Sequence, residues 1–155
     1  MDDRRSWLRG VCSALAVVFA FVGAGVAEGD QVIATIDRPA AITASTAPAA
    51  EGIEPEQTQR VIIKVLGFQP PNEGAVQVVV KARMDDTGVE REIGRFGIFP
   101  NAEFKAAEPS KAQRFGLALP KELARGGPVK LNVYLVPLTG EGKGAHLELG
   151  SVEIR

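Results

Sequence analysis

The chain has 155 residues, a formal net charge of −1, 45% hydrophobic residues, one cysteine and one histidine. A near-neutral chain without a basic run is a poor fit to nucleic acid or to an anionic membrane surface. A single cysteine, Cys12, allows no internal disulfide, so the fold must be held by its core, which about 100 residues can supply.

The chain opens with "DRRSWLRG", residues 3–10, ahead of the apolar run "GVCSALAVVFAFVGAGVA". The apolar centre, 11–22, suits a signal-peptide core and is short for a transmembrane helix, which needs about 20 apolar residues. Small residues follow, and Gly25-Val26-Ala27 offers a cleavage site after Ala27. Arg4, Arg5, Trp7 and Leu8, with Arg9 behind them, resemble the twin-arginine export signal, which implies a protein exported already folded, to a periplasmic or secreted location. An ordinary Sec leader, with the arginines as a positive n-region, is the alternative, and an uncleaved anchor is a third. Cys12 follows Arg9-Gly10-Val11 and is not placed for lipidation. Loss of 1–27 removes the cysteine and makes the charge slightly more negative. No membrane contact is expected after that.

Residues 28–59 read as an Ala/Thr/Pro-rich linker with a short edge strand at 32–36. The texture changes at Arg60. "RVIIKVLGF" sets Val61, Ile63 and Val65 on one side, and "AVQVVVKAR" sets Val76, Val78 and Val80 against Gln77 and Lys81. A strand follows over about 92–99. "QRFGLALP" aligns Phe115, Leu117 and Leu119, and "KLNVYLVP" aligns Leu131, Val133 and Leu135 against Asn132 and Tyr134. Such period-two alternation marks half-buried strands. "QPPNEG", "DDTG", "GG" and "GEGKG" separate them as turns, the last read as a flexible hairpin. "PKELA" from Pro120 has the make-up of one helical turn, with Gly126 past its end. In the last strand Leu147 and Leu149 share a parity that Val152 and Ile154 do not. A bulge at Gly150-Ser151 would return all four to one side. The expected fold is an all-β, antiparallel β-sandwich of about six to seven strands over 60–155, with one short helical turn.

Ligand chemistry is thin. Without residues 1–27 the chain has one histidine, His146, and no cysteine, against the several ligands a copper or zinc site needs. His146 would also be the only base for a serine triad. Asp85 and Asp86 precede Thr87-Gly88 and read as turn residues. "GEGKG" lacks the strand-to-helix setting and the Ser or Thr of a phosphate loop. The expectation is no enzyme, no cofactor and no metal.

The strand order resembles the C-terminal β-sandwich domain of polyphenol oxidases and bacterial tyrosinases. Gly94, Phe96, Phe115, Leu117, Leu119, Leu135, Val136, Pro137, Gly150, Val152 and Ile154 carry the resemblance, over about 60–155. In that family the copper centre sits in a separate helical domain that the β-domain covers. None of its copper-binding histidines maps onto this chain. The resemblance implies a non-catalytic interaction or accessory module, with a tyrosinase-like or other extracytoplasmic protein as partner. The alternative is a self-sufficient envelope structural or adhesion protein. Phe99, opposite in parity to Phe96 and Ile98, and Phe104, in the loop "NAEFKAAEPSK", are candidate interface anchors. The plain alternative makes them core residues under that loop.

Overall fold

The computed structural model describes residues 32–46, 59–83, 88–123 and 128–155. Nine strands form two sheets packed as a sandwich. They are β1 (Val32–Thr35), β2 (Ala40–Thr46), β3 (Arg60–Gln69), β4 (Ala75–Arg83), β5 (Glu90–Phe96), β6 (Phe104–Lys105), β7 (Gln113–Ala118), β8 (Val129–Thr139) and β9 (His146–Ile154). One sheet runs β5-β4-β8-β2. In the other, β9 lies between β1 and β3, and the far side of β3 takes β6 and β7.

The alternation read from the sequence decides which side chains are enclosed. Val61, Ile63 and Val65 of β3, Val78 and Val80 of β4, Leu131, Val133 and Leu135 of β8, and Leu147, Leu149, Val152 and Ile154 of β9 all enter one core. The phase break in β9 is repaired as expected. Ile63 faces Val152 while Val65 faces Leu149, so β9 spends one extra residue at Gly150-Ser151. A second shift follows, because Gly67 faces Glu148 and the extra residue there is Leu66 of β3. The two bulges meet: a Cβ on Gly150 would lie 3.2 Å from Leu66 Cγ.

Four expectations need correction. The linker is not a linker throughout, because 40–46 form β2; residues 28–31 and 47–58 lie outside the described residues. Ala40–Ala44 pair antiparallel with Val133–Val129 of β8. Ser45 and Thr46 then run parallel to Glu153 and Ile154 of β9, so β2 passes from one sheet to the other. The 92–99 strand is β5, which begins at Glu90 and ends at Phe96. Residues 120–123 make a turn closed by Leu123 N–H to Pro120 O, 2.9 Å. Helix among the described residues is a 3-10 turn at Pro109–Lys111. Finally, "GEGKG" does not join paired strands. β8 and β9 belong to different sheets, and the segment arches between them on positive-φ glycines 140, 142 and 144. Left-handed φ is what glycine tolerates without a Cβ clash.

The side of the sandwich where β5 and β7 lie is closed by aromatic stacking. Phe96 of β5 and Phe115 of β7 have ring centroids 4.0 Å apart and planes 13° apart. Beside them Leu117 leans over Gly94, where a Cβ would come within 2.9 Å of its Cδ2. Glycine at 94 lets the two sheets approach here.

Candidate functional site

Three places on the surface have features beyond those of a plain sandwich. The first is the outer face of the β5-β4-β8 sheet. Register sets Tyr134 beside Val79 and Asn132 beside Lys81, all pointing away from the core by strand alternation. Glu90, at the start of β5, reaches across to them. Tyr134 OH donates to both its oxygens, at 3.0 and 2.8 Å, and Asn132 Nδ2 donates to Oε1. Lys81 Nζ lies 3.9 Å from Oε2 and 4.8 Å from the Tyr134 ring centroid.

These bonds set the charge states. The Asn132 amide, then the Tyr134 hydroxyl, then Lys81 and Arg83 hold the Glu90 carboxyl below its ordinary range. The same carboxylate holds the Tyr134 hydroxyl protonated, raising its pKa above the usual phenol value. Both Glu90 oxygens therefore already accept hydrogen bonds, and the phenol proton is already committed. The cluster braces three strands, β4, β5 and β8.

The second place is a cleft of about 550 Å³ between the β1–β2 turn and the arch, lined by Thr35, Ile36, Asp37, Glu141, Lys143 and His146. His146 begins β9 and is half-buried. Lys143 is paired with Glu141. Among the described residues no group of three or more His, Cys, Asp or Glu is placed to hold a metal ion.

The third place is apolar. Phe99 is 88% exposed, Leu138 60% and Val136 40%. All belong to the same end of the first sheet, because the end of β5 and the end of β8 both flank the start of β4. Phe96 pairs with Val78, Val136 with Gln77 and Pro137 with Val76. Ile98, one residue before Phe99, is buried, which turns Phe99 outward.

Phe104, the other proposed anchor, is not exposed beside it. It starts β6, pairs with Phe68 and packs against the core, so for Phe104 the plain core alternative holds. Arg4, Arg5, Trp7, Leu8 and Ala27 lie outside the described residues, as do Asp85 and Asp86. No helix among the described residues is long and apolar enough to cross a membrane.

The Glu90 cluster escaped the sequence reading. Asn132 and Tyr134 were visible there as an outward pair, but Glu90 joins them only through the β5-β4-β8 register. Val136 and Leu138 were hidden inside the apolar run "LVPL". Compared with protein-family models, curated proteins and solved structures, the chain matches none.

Proposed function

We propose that the protein is a non-catalytic β-sandwich module, periplasmic or secreted, that binds another extracytoplasmic protein. The observation that carries this reading is the exposed apolar end of the first sheet, with Phe99, Val136 and Leu138. A lone exposed apolar residue is ordinary; a group including a phenylalanine at one end is characteristic of a contact surface. Aromatics in such places tend to dominate binding energy. The resemblance of Arg4, Arg5, Trp7 and Leu8 to a twin-arginine signal supports the location. The likeness to the tyrosinase β-domain supplies the partner class, a tyrosinase-like protein, and it stands on this chain's residues alone.

The test is affinity capture with the tagged full chain in its own host, beside a Phe99→Ala/Leu138→Ala variant whose melting point is unchanged. The proposal expects one reproducible partner that the variant loses. Recovery of the same proteins by both chains, or of none by either, refutes it in favour of a self-sufficient envelope protein.

A further inference from the structure

Among the described residues one strand edge is left undefended, and its chemistry fits a second copy of the same strand. Open edges invite pairing with other chains, and proteins protect them with bulges, charges, shortness or a change of direction. Four edge strands here follow that rule. β5 has a register shift at Val80/Lys81 and carries Glu90, Arg91, Glu92 and Arg95. β1 has four residues and β6 two. β2 leaves its sheet for the other. β7 does none of this. Its six residues, "QRFGLA", pair with β3 in unbroken register from Arg60↔Ala118 to Val65↔Gln113. Arg114 is its only charge. Among the described residues nothing pairs with its other side.

Hydrogen bonds just beyond the strand show which backbone groups point there. Leu119 N–H donates to Gln59 O at 2.8 Å, toward β3. Arg60 turns the other way and exchanges both its bonds with Arg155, at 2.7 and 2.9 Å. Along an antiparallel pair these directions alternate. Leu117, Phe115 and Gln113 therefore bond to β3, and Arg114, Gly116 and Ala118 aim their N–H and C=O groups at the open edge. These three are exposed, and two of them, Gly116 and Ala118, bring almost no side chain to hinder an approaching backbone.

We propose that this edge pairs with the same edge of a second copy, antiparallel, about a two-fold axis through Gly116. In that register Gly116 faces Gly116, and Arg114 faces Ala118 of the other copy. Every outward N–H and C=O of the three residues finds a partner. Phe115 faces Leu117, which keeps apolar residues on the inner side and polar or small ones on the outer. The two Arg114 side chains are kept apart. A two-fold centred on Phe115 would set Gln113 against Leu117 and leave the outward groups of Ala118 beyond the pairing. Stable interfaces bury about 800 Å² per partner, more than six paired residues provide. The dimer is therefore weak, forming at about 100 µM or above.

Sedimentation velocity of the full chain from about 10 µM to about 1 mM tests this. The weight-average mass should climb from monomer toward dimer. Gly116→Pro removes an outward N–H that β3 does not use, a change edge strands accept, and should hold the chain monomeric with its melting point kept. Gly116→Lys, which sets two ammonium groups face to face, is the second variant should proline impair folding. Ala118→Glu places a carboxylate opposite Arg114 of the second copy and should lower the association midpoint by about 2- to 20-fold. A chain that stays monomeric throughout, association that survives both substitutions at 116, or a midpoint that A118E leaves unmoved would each overturn the proposal.

Discussion

Val133 and Val136 lie on the same strand, three residues apart, and the same substitution should have opposite consequences at the two. Val133 is fully enclosed, facing Val80 of β4 on one side and Ala40 of β2 on the other. Val133→Asp forfeits about 1.5–3 kcal/mol of apolar burial. A buried carboxyl without a partner adds about 1–3 kcal/mol even when protonated, and more when ionised. The loss is then about 2.5–6 kcal/mol, against a whole-domain stability of about 5–15 kcal/mol. Val136 is 40% exposed at the strand's far end, so Val136→Asp should stay within about 0.5 kcal/mol of the parent. Urea unfolding followed by circular dichroism measures both. Comparable losses at the two positions, or a loss below about 1 kcal/mol at Val133, would mean that the faces of β8 are misassigned.

Glu90→Gln should destabilise the fold at neutral pH by weakening charge-assisted bonds from Tyr134 and Asn132. Because the folded carboxyl lies below its ordinary value of 4.5, this contribution is present above that value and fades as pH falls through the lower folded one. The difference between parent and variant, read by urea titration, should therefore shrink in acid; a constant difference would contradict the assignment. A chain cut to residues 60–155 should be protease-sensitive and poorly folded, since it uncovers β8 and β9 where β1 and β2 pair; a cooperative melt like the parent's would count against an integral β2. Arg4→Lys with Arg5→Lys should abolish export through the twin-arginine route, as cell fractionation would show, whereas normal extracytoplasmic yield would return the leader to the Sec class.

Where alternation runs in bulky residues, the strands could be read directly from the chain. β3, β4 and β8 keep strict inward Val, Ile and Leu, and even the β9 bulge announced itself as a change of parity. β2 did not, for a physical reason. "AAITAST" carries its inward positions mainly on alanine: Ala40 and Ala44 are at most 1% exposed, yet their methyl groups give almost no hydropathic signal. Partner strands, rather than intrinsic preference, make this segment extended. The Glu90 cluster was illegible for a related reason. Its members come from β4, β5 and β8, and only the register, including the shift at Val80/Lys81, decides which outward residues meet. The outward parity of Phe99 agrees with its exposure, whereas Phe104 sits in a strand of two residues, too short to show any period.

The pairing of the first strands with the last has a consequence for the order of events during synthesis. Val32 meets Leu149, Ala40 meets Val133 and Thr46 meets Ile154. No part of β1 or β2 can find its neighbour until β8 or β9 has left the ribosome. Contacts so distant in sequence require large loops to close first and place such a topology among the slower-folding small domains. The β4–β5 hairpin and the longer-range pairing of β3 with β7 need neither β8 nor β9 and can form earlier. The N-terminal strands must wait, and an incomplete chain would expose the unpaired flank of β8. Completion of this domain thus waits on its last two strands, which gives any machinery that waits for a finished fold a single late step to sense.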